Sequence, residues 1–196
     1  MPLFLDRLPL HAWVPDGLLA AVPRWSVSLP VIPTESGRSD GPPRAQLQRW
    51  VMDTAFSGEA FAWRHHLQEV GLNPDADVLG SRRFSGALGA IEELPLRDAD
   101  LWLFGNISAL GVSPWRIELG EGLAFRNMPH LPNPELNTPL IGIRALRRAG
   151  LRVYLDFARG TVSVWTPGPW YAGLALPIRR WFSGRATLPM PWSKMP

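Results

Sequence analysis

The alternation of apolar and polar positions predicts short strands along most of this chain. Residues 24–32, RWSVSLPVI, have the β-branched character of a strand, and residues 44–56, RAQLQRWVMDTAF, alternate into a second strand. Between them, residues 33–43, PTESGRSDGPP, are rich in Gly, Pro, Ser and Asp and are typical of an exposed turn. The pattern therefore predicts a β-hairpin whose second strand ends at Asp53.

Two segments have the apolar spacing of a short helix. Residues 59–72, EAFAWRHHLQEVGL, place apolar side chains on one face, and Gly71 supplies a C-terminal stop. Later, an apolar run that ends at Gly142 leads into a helix of one or two turns that stops at Gly150. We expect both helices to be short.

The rest of the chain again predicts strands and turns. Residues 81–104 form two strands around the glycine-bearing tip SGALGA, which favours a mobile hairpin. Further strands are predicted at residues 115–119, 122–128, 151–157 and 161–165. The last two of these read as a closing hairpin.

Composition supports an all-β fold. The 196 residues suit one domain with extensions, and 21 Pro and 18 Gly without a period leave little room for long helices. We predict an N-terminal extension over residues 1–22, a domain over residues 23–166, and a C-terminal tail rich in Trp, Pro and Arg over residues 167–196.

Charge and residue types exclude several classes of function. Cysteine is absent, so a disulfide framework, a thiolate zinc site and a cysteine nucleophile are all excluded. The net charge is +3, but the arginines are spread among acids along the chain, so nucleic acid is an unfavoured partner. The N-terminus lacks the pattern of a signal peptide, and no segment approaches the ~20 apolar residues of a membrane span. We expect a cytoplasmic protein.

The tail contains a cluster of aromatic and basic residues: Trp170, Trp181, Trp192, Arg179 and Arg180. Such residues are found at membrane interfaces, but they also pack over a fold or at a dimer contact. We favour packing or dimer contact over a membrane surface.

Three motifs in this order resemble the retropepsin-like aspartic proteases, particularly their bacterial single-domain members. The motifs are WVMDTAFSGEAF at residues 50–61, the glycine-bearing hairpin, and PLIGIRALRRAGLRVYLDFARGTVSV at residues 139–164. The resemblance covers residues 25 to 165. It implies a small closed β-barrel with one or two short helices, in which Asp53 lies on a loop beneath a flap hairpin.

The resemblance also implies a site and an activity. The activity is hydrolysis of peptide bonds in an extended peptide or protein substrate, without a metal or any other cofactor. The catalytic motif is Asp53, Thr54 and Ala55, and the flap that binds substrate is Ser85, Gly86, Ala87, Leu88 and Gly89.

Two carboxyls that share one proton are needed for this reaction, because one activates water while the other protonates the leaving nitrogen. The chain has a single Asp-Thr motif, whereas Asn137 precedes Thr138 at the later position and Asp156 lies in a predicted strand. A homodimer whose two-fold axis passes beside Asp53 would supply the second carboxyl.

Two positions depart from the family pattern and leave other readings open. Ala55 stands where the family usually has Gly, which matters if that position needs a positive φ, and Arg144 replaces the usual Asp or Asn. Asp53 alone could be a turn-opening residue that caps its own bend. The principal rival is therefore an inactive peptide-binding or assembly module, and a third reading is a β-barrel that binds acidic polymers or membrane surfaces.

Overall fold

The computed structural model describes residues 3–13, 24–38, 40–41, 45–85, 91–105, 114–126 and 138–167. The chain divides into two compact units, and the first contains described residues 3–13, 24–27 and 150–167. The second unit runs from residue 28 to 105 and from 113 to 149 and contains the predicted site. The tail beyond residue 167 and the predicted flap tip, residues 86–90, lie outside the described residues.

Strands dominate the described residues of both units. The strands are β1 (Leu3–Pro9), β2 (His11–Trp13), β3 (Arg24–Ser26), β4 (Ser28–Thr34), β5 (Gln48–Asp53), β6 (Ala60–Trp63), β7 (Val78–Ser85), β8 (Ile91–Arg97), β9 (Asp100–Leu103), β10 (Trp115–Glu118), β11 (Leu123–Arg126), β12 (Leu140–Gly142), β13 (Arg152–Asp156) and β14 (Thr161–Trp165). The two helices are α1 (Arg64–Glu69) and α2 (Ile143–Arg148). The all-β class predicted from the sequence is confirmed.

The second unit contains a nine-stranded sheet in the order β10-β9-β4-β5-β12-β6-β11-β8-β7. The pairs β5/β12 and β6/β11 are parallel, whereas the other neighbours are antiparallel. Among the described residues, β10 and β7 each pair with one neighbour, so the sheet has two edges and is not closed into a barrel. The closed barrel that the resemblance implied is therefore wrong, because the described strands β10 and β7 do not pair with each other.

The first predicted helix begins later than its sequence pattern indicates. Residues 60–63 form strand β6, which is buried along its whole length and lies between β12 and β11. Only residues 64–69 are helical, with Leu67 buried. Burial on both faces of a central strand outweighs the helical spacing of this segment, so the predicted start at residue 59 is wrong.

The second helix begins and ends close to the predicted positions. Gly142 precedes α2 as its N-cap, and Gly150 follows it with a φ of 69°, a conformation that glycine adopts without strain. Ala145 and Leu146 are buried, while Arg144, Arg147 and Arg148 are exposed. This helix therefore presents three cations on the surface of its unit.

The first unit is built on a three-stranded antiparallel sheet in the order β1-β14-β13. The predicted closing hairpin of β13 and β14 is confirmed, and the N-terminal strand β1 pairs with β14. Leu5, Val162 and Val164 are fully buried and form part of its core. In the described part of the chain, neither helix has the length and apolar character needed to cross a membrane.

Candidate functional site

Asp53 is the last residue of β5, a strand in the middle of the nine-stranded sheet. It is in register with Gly142, the last residue of the parallel strand β12. Because the carboxyl ends of parallel strands lie at the same edge of a sheet, the loop after β5 and the start of α2 lie side by side. This edge carries two of the three motifs that the sequence singled out.

The carboxylate of Asp53 is held by its own loop. Its Oδ1 accepts a hydrogen bond of 2.8 Å from the backbone N–H of Ala55. Asp53 is half-buried, whereas Thr54 and Ala55 are exposed. The only positive φ angles among the described residues other than glycine belong to Arg7 and Asp77, so Ala55 does not need the freedom of glycine.

The loop after Asp53 contacts β12 through two glycines. A Cβ at Gly142 would lie 2.2 Å from the carbonyl oxygen of Gly58, far inside van der Waals contact. The backbone N–H of Gly142 also donates to the carbonyl of Glu59 at 2.8 Å. Gly142 therefore lets the two chain segments approach closely enough to form this hydrogen bond.

The same loop packs against the hairpin of β7 and β8. The rings of Phe56 and Phe84 stack with their centroids 5.6 Å apart and an interplanar angle of 14°. A Cβ at Gly58 would lie 2.8 Å from the ring of Phe84, so glycine is needed beneath this aromatic pair. β7 and β8 pair antiparallel, as predicted for the hairpin. The second predicted strand does not reach residue 104, because it ends at Arg97 and residues 100–103 form β9, which pairs with β4 and β10.

The predicted flap residues are only in part described. Ser85 is the last residue of β7 and is in register with Ile91. Gly86, Ala87, Leu88 and Gly89 lie outside the described residues, so their role in covering a substrate stays a prediction.

Arg144 bridges the loop and an acid that sequence reasoning did not identify. Its Nη1 donates to the carbonyl of Ser57 at 3.0 Å, and its Nη2 forms an ion pair with Glu121. The other carboxylate oxygen of Glu121 accepts from Arg82 of β7 at 2.5 Å. Arg144 therefore contacts the loop directly, in place of the Asp or Asn expected from the family pattern.

A second acid, Glu59, is buried at the end of the loop. Its carboxylate accepts from the Nε of Arg148 at 2.6 Å and from the backbone N–H of Glu121 at 2.8 Å. A buried carboxylate is costly unless it is paired and hydrogen-bonded, and Glu59 has both kinds of partner. The sequence held a signal for these pairs, because α2 carries arginines without an acid of its own.

Asp53 differs from the other described acids at this edge of the sheet in the partner of its carboxylate. Glu59 and Glu121 are both paired with arginines, whereas the half-buried Asp53 accepts from the backbone N–H of Ala55 in its own loop. Asp156, which belongs to the other unit, is paired with Arg159. Within the residues that the structure describes, no group of three or more His, Asp or Glu is arranged to hold a metal ion.

Comparison of the chain with protein-family models, with curated proteins and with solved structures gave no match. The candidate site therefore rests on its own geometry and on the motifs in the sequence.

Proposed function

We propose that this protein is a homodimeric aspartic endopeptidase of the retropepsin-like kind, which hydrolyses peptide bonds in extended polypeptides. The observation that carries the proposal is the position of Asp53 at the end of a central strand. Asp53 is half-buried, and its carboxylate accepts a hydrogen bond from the Ala55 N–H. It lies next to Gly142, which is in close contact with the loop after Asp53. The stacking of Phe56 on Phe84 supports it further, since it brings the loop next to the hairpin that carries the predicted flap.

Two carboxyls are needed for the reaction. Two like charges about 3 Å apart do not both ionise, so a pair of Asp53 side chains would share one proton. The ionised carboxylate takes a proton from the attacking water, and the protonated carboxyl donates to the leaving nitrogen. The exposed Thr54 would, by similarity to the family, hydrogen-bond across the two-fold axis and fix the two loops.

The class of substrate follows from the resemblance to the family. Residues 85–89 of each subunit would cover a peptide that lies extended between the subunits, with backbone hydrogen bonds as in strand addition. Such a cleft accepts an unfolded segment more readily than a folded domain.

Cleavage of a diverse peptide mixture across pH tests the proposal. Wild type is expected to cleave best on the acidic side of neutrality, and Asp53→Asn is expected to lose all cleavage while its circular dichroism spectrum and Tm stay unchanged. Asp40→Asn is the matched control, because it makes the same chemical change at an exposed acid paired with Arg38. Cleavage by Asp53→Asn at the wild-type rate would refute the proposal.

A non-catalytic peptide-binding or assembly module is the second candidate. The hydrogen bond from Ala55 to Asp53 favours it, because an Asp that only opens a turn forms the same bond two residues on. This candidate predicts that wild type binds peptides without cleaving them and that Asp53→Asn binds with unchanged affinity.

A further inference from the structure

The ion pairs of Glu121 connect two parts of the candidate site: the β7–β8 hairpin and the loop after Asp53. One carboxylate oxygen of Glu121 accepts from Arg82, on the β7 strand that leads to the predicted flap. The other is paired with Arg144, which also donates to the carbonyl of Ser57 in the Asp53 loop. A single carboxylate is therefore shared between the hairpin and the loop.

Glu121 is itself fixed to the end of that loop. Its backbone N–H donates to the carboxylate of Glu59, which is buried and also accepts from Arg148. The Glu121 side chain is 23% exposed, so its two arginine contacts are less screened by water than those of a fully exposed pair. The backbone of Glu121 is thus hydrogen-bonded to Glu59, while its side chain contacts both arginines.

We propose that Glu121 is a positioning residue that couples the β7–β8 hairpin to the Asp53 loop through Arg144. The proposal rests on the proposed function, since it assigns the hairpin to substrate binding and the loop to catalysis. A movement of Arg82 with the hairpin changes the position of the Glu121 carboxylate and hence of Arg144. The carbonyl of Ser57, four residues after Asp53, follows Arg144.

Substitutions of Arg82, Arg144 and Glu121 are expected to change the kinetic constants in different ways. Arg82→Gln releases only the hairpin, so KM is expected to rise several-fold while kcat stays within about twofold. Arg144→Gln releases the loop, so kcat is expected to fall roughly 10- to 100-fold, as a small misplacement of a catalytic group does. Glu121→Gln removes the negative charge from both contacts and replaces one acceptor oxygen by an NH2 group without changing the shape of the side chain, and is expected to show both effects.

Double variants separate coupling from a general loss of stability. Arg82→Gln combined with Glu121→Gln is expected to be no worse than Glu121→Gln alone, because the ion pair with Arg82 is already lost. Arg144→Lys is expected to keep part of the kcat that Arg144→Gln loses, because lysine retains the positive charge. Arg38→Gln is the matched control, since it removes an arginine that pairs with an acid, Asp40, in the turn after β4. It is expected to leave KM and kcat unchanged.

Hydrogen exchange of the Ala55 amide tests the coupling without turnover. This amide donates to Asp53, so its exchange rate reports how firmly the loop holds the carboxylate. Glu121→Gln and Arg144→Gln are expected to accelerate exchange at least about threefold, whereas Arg38→Gln leaves it unchanged. The coupling is overturned if Glu121→Gln and the control give the same exchange rate. If wild type shows no cleavage, the protease proposal fails and exchange alone decides the coupling.

Discussion

Gly142 is the residue whose side-chain volume is most tightly restricted at the candidate site. A Cβ there would lie 2.2 Å from the Gly58 carbonyl oxygen, and this neighbour is backbone that cannot rotate away. The same residue donates its N–H to Glu59 and is in register with Asp53. The motif in the sequence included this glycine. The structure shows that a side chain at this position would clash with the backbone of Gly58.

Gly142→Ala is therefore expected to lower the free energy of unfolding by roughly 1–3 kcal/mol, the usual cost of an overpacked site. It is also expected to move the amide signals of residues 54–58, because the loop must shift to admit the methyl group. Denaturant unfolding and a two-dimensional NMR spectrum measure the two effects.

Gly37→Ala is the matched control for this substitution. Gly37 has a φ of 74° and open space around its Cβ position, so the change introduces backbone strain without a clash. It is expected to leave the signals of residues 54–58 in place. Equal loop shifts in both variants would contradict the role assigned to Gly142.

At the scale of single elements, local signals in the sequence predicted some boundaries well and others poorly. The helix between Gly142 and Gly150 was predictable because the sequence has a glycine at each end, and Gly150 ends the helix locally through its positive φ. The strand β6 was not, because the spacing of Phe61 and Leu67 fits a helix while pairing with β12 and β11 decides the structure. Long-range pairing outweighs local propensity at such positions.

The side-chain partners at the site could not be predicted from local sequence patterns for the same reason. Arg144 and Glu121 are 23 positions apart, and Arg148 and Glu59 are 89 apart. The excess of arginine on α2 indicated that acidic partners were needed, but only the order of strands in the sheet shows which acids lie next to this helix. Asp53 itself was predictable because its strand, its loop and its hydrogen bond to Ala55 are all local.

Helix α1 carries an ion pair whose strength depends on pH. Arg64 at its start donates to Asp75 in the following turn at 2.9 Å, and this hydrogen bond lowers the pKa of Asp75 below its ordinary value. A carboxyl whose pKa is lower in the folded state stabilises the fold above its unfolded pKa. That contribution is lost as the pH falls through the folded pKa.

Arg64→Gln is expected to raise the pKa of Asp75 towards its ordinary value and to remove this pH dependence in the acidic range. Titration of the side-chain carboxyl signal by NMR measures the shift. Asp40 serves as the internal control, since its pKa is lowered by Arg38 and is expected to stay unchanged in this variant. An unchanged titration of Asp75 would show that another group sets its pKa.

At the scale of the whole molecule, the sequence predicted the class of fold but not the closure of its sheet. Most strands of the nine-stranded sheet were signalled by the sequence, although β6 was expected to be helical. The parallel neighbours β5 and β12 are separated by the 86 residues of chain between Asp53 and Leu140. No local pattern specifies such a pairing, and the open order from β10 to β7 replaces the expected barrel. The predicted position of Asp53 does not depend on closure, because β5 lies in the middle of the sheet.

The proposed assembly predicts a particular result when active and inactive chains are mixed. If each subunit supplies one Asp53, a dimer of wild type with Asp53→Asn has a single carboxyl and is inactive. After an equal mixture has exchanged subunits, about one quarter of the dimers contain two wild-type chains, so cleavage falls to about half that of the same wild-type amount alone. A chain that acts as a monomer keeps its full activity in the mixture. Peptide cleavage before and after subunit exchange, with Asp40→Asn as the added chain in the control, distinguishes these outcomes.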